Sequence, residues 1–353
     1  MREREDNMPA GPEAGNRPWV VGYIETAVGR VARVSTNWTW HDHLGAMAVR
    51  WNVGRRRYTV EPGLYAIGSP TAKAPLMATA NYKLSFDVLR AALDGLDAWL
   101  LVLDTQGINV WCAAGKGTFG TEELCRRMAV TNAARVVDHT VLVLPQLAAP
   151  GVAAHEVQRQ SGFKVVYGPV RAEDLPAFLR DRLRASGDMR KVTFKLQERL
   201  AVVPAELVQR FTPAIMIMLA LCLAAGVERH GYRLAMAQWP GIAVAVWVNF
   251  LAGVVLTPAL LPWLPGRSFA VKGGEVGVVT GAALWVFGRY GLMEGLAAGL
   301  LSVTACSFLG LMFTGCTPYT SASGVRREIR WAVPLQIAGA AAGLVLWLPA
   351  RWS

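Results

Sequence analysis

Apolar residues follow two different patterns along this chain. Between Trp19 and Gly187, short apolar runs alternate with segments whose apolar residues recur every three or four positions. The runs have the length and composition of buried strands: LMATA (76–80), AWLLVLD (98–104), HTVLVLP (139–145) and FKVVYG (163–168). The segments between them, such as LSFDVLRAALDGL and VAAHEVQRQ, are predicted helices. Alternating buried strands and helices predict a parallel, doubly wound α/β sheet of the Rossmann-like class.

A β-hairpin is predicted ahead of the first of these strands. The segments AMAVRW and RYTVE flank NVGRR, which places the turn at residues 52–54. In a doubly wound sheet, ligands bind beyond the carboxyl ends of the strands. The residues at those ends form four loops, which we expect to converge on one crevice: 79–82, 104–112, 145–151 and 168–170.

The pattern changes near Phe211, where long apolar segments begin. Five of them are long and apolar enough, or nearly so, to span a bilayer: 211–227, 241–261, 274–290, 295–315 and 331–350. Glycines that recur every four residues, as at 273, 277 and 281, indicate membrane helices that pack closely. No acid or base lies in mid-span, so an anchor bundle of about five helices is favoured over a transport path.

Composition and charge agree with a chain that has one soluble and one membrane part. The chain is 53% hydrophobic and 17% charged, with a mean hydropathy of +0.30. Its net charge of +11 comes largely from bases just ahead of the first apolar segment, which indicates contact with anionic lipid and no nucleic acid. Basic loops before the third and last spans place the N-terminal domain in the cytosol. We therefore expect a multi-pass protein of the cytoplasmic (inner) membrane.

These patterns divide the chain into four parts. Residues 1–18 are polar, are expected to be disordered and lack the apolar core of a signal peptide. Residues 19–187 form the cytosolic α/β domain, and residues 188–210 form a basic juxtamembrane linker. Residues 211–353 form the transmembrane domain.

Cys112 is the candidate for chemistry in the loop after the second buried strand. The surrounding AAGKGT fails the phosphate-loop pattern, because Val110 stands where a glycine is needed and Gly117 follows the lysine. No histidine shows the pattern of a base for a catalytic cysteine. His41 and His43 are interpreted as part of a solvated loop, which is favoured over a metal pair. Five irregularly spaced cysteines do not predict a disulfide framework.

A short helix is predicted around Cys112. Asn109 is a natural N-cap and Gly115 a natural stop, so the thiol lies near the amino end, where thiolate is favoured. The small residues after Cys112 would let a flat ligand approach the backbone. On spacing alone, a buried structural cysteine remains the favoured interpretation.

Several blocks of sequence between about residues 45 and 185 carry a family resemblance. They are VEPGLYAIGSPT (60–71), TANYKLSFDVLR (79–90), LVLDTQGINV (101–110), NVWCAAGKGTFGTEEL (109–124), APGVAAHEV (149–157) and GFKVVYGPVRAEDLPAFL (162–179). These blocks resemble the membrane-bound mercury-methylating corrinoid proteins. The signature around Cys112 also resembles the corrinoid domain in the large subunit of the acetyl-CoA-pathway corrinoid/iron–sulfur protein.

The resemblance implies a cobalamin-type corrinoid, with Cys112 as the lower axial ligand of cobalt and the site of catalysis. Residues 109–116 would form a cap under the corrin: Asn109, Val110, Trp111, Cys112, Ala113, Ala114, Gly115 and Lys116. By analogy of position, a second set would line the pocket for the cofactor's tail: Thr79, Asn81, Gln146, Gly151, Val152 and Gly168. The D-x-H-x-x-G pattern of histidine-ligated cobalamin modules is missing, in agreement with a cysteine ligand.

The resemblance further implies a corrinoid-dependent methyltransferase that transfers a methyl group from cobalt to inorganic Hg(II). The methyl group would come from a methyltetrahydrofolate-linked donor. The chain has no cysteine cluster for an iron–sulfur centre, so electrons would come from a small ferredoxin with two [4Fe-4S] clusters. Two alternatives stay open, namely a membrane-anchored methyl carrier for another acceptor and a corrinoid-binding protein without catalysis.

Overall fold

A computed structural model describes residues 17–226, 232–317 and 319–349. The segment expected to be disordered, 1–18, therefore lies outside the described residues except for its last two. The described residues form two compact units, residues 17–49 with 53–192 and residues 50–52 with 193–349. Each unit has its own character, an α/β sheet in the first and long helices in the second.

The first unit contains a seven-stranded sheet in the order β1-β2-β3-β5-β4-β6-β7. The strands are β1 (Val20–Thr26), β2 (Gly29–Val34), β3 (Gly63–Ile67), β4 (Leu76–Ala80), β5 (Ala98–Leu103), β6 (Val141–Leu144) and β7 (Lys164–Tyr167). The helices are α1 (Trp40–Arg50), α2 (Lys83–Ala92), α3 (Val110–Lys116), α4 (Thr121–Val130), α5 (Ala154–Ser161) and α6 (Leu175–Arg180).

The predicted parallel sheet is confirmed for four strands and corrected for the sheet as a whole. Strands β4, β5, β6 and β7 are parallel neighbours, but β3 runs antiparallel to β5 and β1 pairs antiparallel with β2. The sheet is therefore mixed. Helices cover both faces: Leu124 and Val157 pack on one, and Phe86 and Phe178 pack on the other. Burial on both faces explains the continuous apolar runs of the parallel strands.

The predicted hairpin around residues 52–54 is wrong. Residues 40–50 form α1, and residues 55–57 form a single 3-10 turn. The Thr39 hydroxyl accepts from the Asp42 N–H at 3.3 Å, and the Asp42 carboxylate accepts from the Thr39 N–H at 2.8 Å. This reciprocal pair is a capping box that starts the helix. Asp42, Ala46 and Val49 are then buried at helical spacing, and the exposed His41 and His43 lie on α1.

Four buried charges attach α1 to α2. Lys83 bonds to both Asp42 and Asp87, and Arg90 bonds to the same two carboxylates at 2.8 Å each. We call these four residues the buried ion cluster. Each carboxylate meets two cations, so each charge that leaves water gains opposite-charge partners. Burial would raise the pKa of Asp42, but hydrogen bonds from Lys83 and Thr39 outweigh it and lower that pKa to about 2.

The described part of the second unit contains five helices long and apolar enough to cross a membrane, which is the number predicted: 196–225, 238–260, 269–288, 292–315 and 323–347. Their bounds differ from the prediction, and the first begins at residue 196, inside the segment predicted as a juxtamembrane linker (188–210). The helices are α7 (Leu196–Leu200), α8 (Val203–Ala225), α9 (Tyr232–Leu251), α10 (Thr257–Leu260), α11 (Phe269–Gly288), α12 (Leu292–Met312) and α13 (Ala322–Trp347). A π-helical segment, Ala252–Leu256, joins α9 to α10.

A stripe of glycines brings α11 and α12 into backbone contact. A Cβ at Gly273 would overlap with the carbonyl of Cys306, and one at Gly277 would lie 2.5 Å from the Cα of Val303. These positions admit only glycine without a shift of the helices. The neighbouring Gly274 faces more open space, since its Cβ would meet no atom closer than 3.8 Å.

Candidate functional site at the carboxyl edge of the sheet

The parallel strands create a crevice where the chain changes direction across the sheet. After β4 the chain moves to β5 on one side, and it then returns past β4 to β6 on the other side. The loops after β4 and β6 therefore diverge at the carboxyl edge, which is where ligands bind in sheets of this kind. Helix α3 packs against β4 and against the 146–148 turn that follows β6. It therefore covers the crevice.

Asn81, directly after β4, organises the loop that leads to α3. Its side chain is buried, and its Oδ1 accepts three hydrogen bonds: from the Thr105 hydroxyl at 2.8 Å, from the Gly107 N–H at 3.0 Å and from the Thr105 N–H at 3.1 Å. The Asn81 Nδ2 donates to Asp104 at 3.3 Å. Asn81 thus fixes the loop from β4, and its oxygen already has three protein donors.

Helix α3 begins at the N-cap predicted from the sequence. The Asn109 Oδ1 accepts from the Cys112 N–H at 2.9 Å, which satisfies one of the free amides at the amino end. Cys112 is half-buried on the first turn, and Ala113 and Ala114 are buried beneath it. The helix continues past the predicted stop at Gly115 to Lys116, and Gly117 ends it with a left-handed φ of 83°.

Gly151 allows the loop after β6 to come close to the end of α3. A Cβ at Gly151 would overlap with the carbonyl of Phe119 and would lie 2.9 Å from the Cα and from the carbonyl oxygen of Ala114. The absence of a side chain therefore lets two backbones pack directly. Gly151 therefore supports α3 through close backbone packing. By analogy of position, the sequence analysis had placed this residue in the pocket for the cofactor's tail.

The remaining expected site residues fall into two groups. Thr79, Val152 and Gly168 are buried: Thr79 within β4, Val152 with its carbonyl bonded to the Tyr167 hydroxyl at 2.7 Å, and Gly168 beside Val143. Those that are exposed to solvent, wholly or in part, are Val110, Trp111, Cys112, Gly115, Lys116 and Gln146. The Gln146 Oε1 accepts from Arg190 at 2.7 Å.

Sequence reasoning missed two residues that shape this edge. Glu123 on α4 accepts from the Asp104 N–H at 2.8 Å and from Arg127 at 3.0 Å, so it holds the end of β5. Gly107 has a φ of 69°, and a Cβ there would lie 2.8 Å from Thr59. A glycine shortly after a buried strand is a turn signal, so Gly107 could have identified the tight bend.

Few side chains at the carboxyl edge could act as ligands of a metal. Within the described residues there is no group of three or more His, Cys, Asp or Glu side chains placed to hold a metal ion. His139 lies at the amino edge, where its Nε2 is 3.0 Å from the carbonyl of Ala74. An open groove of about 390 Å³ also lies at the amino edge, between Arg33, Ser69 and Asp97, away from α3. Cys112 is therefore the candidate donor of the carboxyl edge.

The similarity of this chain to known proteins lies in the sheet-containing first unit. The family "CO dehydrogenase/acetyl-CoA synthase delta subunit" matches residues 43–179, which is less than half of the chain. The acetyl-CoA decarbonylase/synthase complex subunit gamma of Methanopyrus kandleri is 35% identical over 127 residues, 35% of this chain and 27% of the relative. The region matched by the family model contains Asn81, Cys112 and Gly151.

Two further relatives carry the same name. The subunit gamma of Methanocaldococcus jannaschii is 32% identical over 129 residues (36% of this chain, 26% of the relative), and that of Archaeoglobus fulgidus is 31% identical over 144 residues (39% and 30%). The chain spans less than a third of the length of these relatives. The family description names a delta subunit, whereas the relatives are named gamma subunits.

These findings correct one expectation from the sequence. The family model and the relatives name subunits of the acetyl-CoA complex, and none of them names a mercury-methylating protein. The expected assignment to the mercury-methylating corrinoid proteins is therefore wrong. The blocks between about residues 45 and 185 were assigned to that branch, whereas the family model that matches residues 43–179 names a subunit of CO dehydrogenase/acetyl-CoA synthase.

Proposed function

We propose that the first unit binds a corrinoid at the carboxyl edge, with Cys112 as the lower axial ligand, and that the protein is a membrane-anchored methyl carrier. The observation that carries this proposal is the position of α3. It covers the crevice between the ends of β4 and β6 and presents a half-buried cysteine on its first turn. The match of residues 43–179 to the CO dehydrogenase/acetyl-CoA synthase delta subunit family and the similarity to acetyl-CoA decarbonylase/synthase gamma subunits support a role in one-carbon transfer.

The residues at this edge fit a macrocyclic cofactor better than a bare metal ion. A protein site for a bare ion needs three or four side-chain ligands, and no such group exists among the described residues. A metal held by a macrocycle needs only an axial ligand, which one thiol can supply. Gly115 and Gly117 add open space, since a Cβ at either would meet no atom within 4 Å.

The chain's own residues would hold and orient this ligand. Asn109 caps α3 and fixes the first turn, while Gly151 and the buried Ala113 and Ala114 fix the helix from below. The bound corrinoid would supply the cobalt that carries the methyl group, and the protein would supply position and an axial donor. Thiolate is a soft, strongly donating ligand, which suits that role.

The partners and location belong to the same proposal. A methyltetrahydrofolate-linked protein would deliver the methyl group, and a small ferredoxin with two [4Fe-4S] clusters would supply electrons. The five long apolar helices support anchoring in the inner membrane. The basic loops at 267–272 and 326–330 support a cytosolic position for the first unit.

A cysteine comparison tests the proposal on the full-length protein in detergent, reconstituted with cobalamin. Cys112→Ala should leave the protein folded but remove the sulfur–cobalt absorption feature. With methylcobalamin as the bound form, which supplies the methyl group, it should also abolish nearly all methyl transfer to a thiol acceptor. Cys125→Ala is the matched control, because Cys125 is also a half-buried thiol, on α4. Burial and the nearby Glu156 raise the pKa of Cys125, which disfavours its thiolate.

The comparison separates the possible outcomes. An unchanged spectrum and full transfer in Cys112→Ala would refute the axial ligand. Failure of the folded wild-type protein to retain any corrinoid through gel filtration would refute the cofactor. The wild-type protein could also retain corrinoid and show the sulfur–cobalt feature without transferring methyl groups to any acceptor. That result would refute the role as a methyl carrier and would support a corrinoid-binding protein.

A further inference from the structure

Helix α1 carries large apolar side chains on the face that points away from the sheet. Trp40 is 71% exposed, Leu44 39%, Met47 53% and Trp51, directly after the helix, 45%. Their spacing of four, three and four residues aligns them on one side of the helix. We call these four residues the α1 apolar stripe. The opposite side, with Asp42, Ala46 and Val49, is buried, so the exposed stripe is a second apolar face that does not pack on the sheet.

A block of positive charge follows the stripe directly. Arg50 ends α1, and three consecutive arginines, 55–57, form the 3-10 turn that comes next. Arg56 and Arg57 are exposed and Arg55 is half-buried. The only acid between residues 40 and 57 is Asp42, which lies in the buried ion cluster. The outer surface of this segment is therefore apolar along the helix and cationic at its end.

We infer that the α1 apolar stripe and its arginines dock on the surface of an anionic lipid bilayer. A helix that lies in a membrane interface combines Trp and Leu on one side with basic residues that meet lipid phosphates. Tryptophan in particular favours the depth of the head groups. Arginines near such a surface are attracted by its negative potential. The α1 apolar stripe supplies the tryptophans and the leucine, and the arginines that follow it supply the basic residues.

The rest of the chain supplies a second reason to choose lipid as the occupant. The described part of the second unit contains five helices of membrane-spanning length, and the first of these segments begins at residue 196, only four residues after the first unit ends. A tether this short keeps the first unit at a high effective concentration near a bilayer. A modest affinity of the stripe for lipid is then sufficient for docking.

Lipid quenching on the full-length protein in nanodiscs tests the inference. Met47→Cys is labelled with an environment-sensitive fluorophore, and the parental chain, labelled in parallel, gives the background. The matched control is Val130→Cys on α4, another exposed apolar position in the first unit (61% exposed) but outside the stripe. In discs with anionic lipid, brominated lipids should quench the label at 47 at least about twofold more than the label at 130.

A charge variant and a detergent sample complete the test. Arg56→Glu combined with Arg57→Glu should reduce the quenching at 47 toward the level at 130, and so should discs of zwitterionic lipid. Equal quenching at 47 and 130 in anionic discs overturns the inference. A label at 47 that is shielded from water in detergent and is not quenched by lipid also overturns it, because a protein surface would then cover the stripe.

Discussion

At the scale of single residues, Asn81 shows how one side chain can organise the carboxyl edge of the sheet. Three N–H or O–H groups of the following loop donate to its one oxygen. Its position directly after β4 was visible in the sequence, and so was its place among the candidate site residues. The orientation of its side-chain amide could not be predicted from the sequence, because a polar side chain at the end of a strand can point either to solvent or to the following loop.

Asn81→Ala should destabilise the first unit and loosen the loop before α3. The substitution leaves two amides and a hydroxyl without their shared acceptor, and buried donors that lose a partner cost about 1–3 kcal/mol each at most. We expect a loss of about 3 kcal/mol in the free energy of unfolding, measured by denaturant titration of the first unit. Asn37→Ala, at an exposed asparagine, should change it by less than about 0.5 kcal/mol. Equal effects of the two variants would refute the role assigned to Asn81.

At the scale of elements, prediction succeeded where the hydrophobic pattern was long or buried on two sides. Strands β4 to β7 are continuous apolar runs, and they were predicted close to their true ends. The segment 46–51 was too short to distinguish strand from helix by periodicity. The informative signal lay upstream in Thr39 and Asp42, which form the capping box. Strands β1 to β3, which make the sheet mixed, were not predicted.

The buried ion cluster predicts an acid-sensitive attachment of α1 to α2. The pKa of Asp42 in the folded protein is lowered from 3.8 to about 2. Its contribution to stability is therefore full above about pH 4 and is lost as the pH falls toward 2. Removing one partner of a buried pair costs about 3–5 kcal/mol, so Asp42→Asn should be strongly destabilised at pH 7.

The measurement is the free energy of unfolding of wild type and Asp42→Asn between pH 7 and pH 2. The difference between the two proteins should narrow as the pH falls from 4 to 2. A difference that stays constant over this range would show that the Asp42 charge does not carry the effect. An Asp94→Asn variant, at an exposed carboxylate near β2, controls for the general effect of removing a charge.

The glycine stripe of α11 gives a second prediction at this scale. Gly273→Ala places a methyl group against the backbone of Cys306, so the two helices must separate. We expect a loss of about 2 kcal/mol or more, as for overpacked cores. Gly274→Ala, one residue away, should be neutral. A thiol-reactive dye that reports the exposure of the buried Cys306 during heating of the full chain in detergent measures both. Identical melting of the two variants would argue against close contact along the stripe.

At the scale of the whole molecule, the division into a sheet unit and a helical unit followed from hydrophobic pattern alone. The number of membrane-length helices also followed, because such segments are defined by length and the absence of charge. The family did not follow, since blocks that build the same fold can be shared by proteins with different partners. The family model that matches residues 43–179 names a subunit of CO dehydrogenase/acetyl-CoA synthase and not a mercury-methylating protein.

The end of the sheet unit can be tested by truncation. The Met189 carbonyl accepts from the Val170 N–H at 2.8 Å, and its side chain packs on the core. A soluble fragment that ends at residue 192 should therefore be more stable than one that ends at residue 187, by about 1–2 kcal/mol. Denaturant unfolding of the two fragments measures the difference. Equal stability of the two fragments would show that the sheet unit ends before Met189.

The sheet unit is completed before residue 193, and this has a consequence for biosynthesis. A ribosome adds about 5–20 residues per second, so residues 193–353 take roughly 10–30 s to synthesise. Mixed α/β domains of this kind fold within about a second. The crevice beside Cys112 can therefore form while the long apolar helices are still being translated. If the sheet unit binds the proposed corrinoid, the supply of that cofactor during translation would then determine how much of the protein is completed in its loaded form.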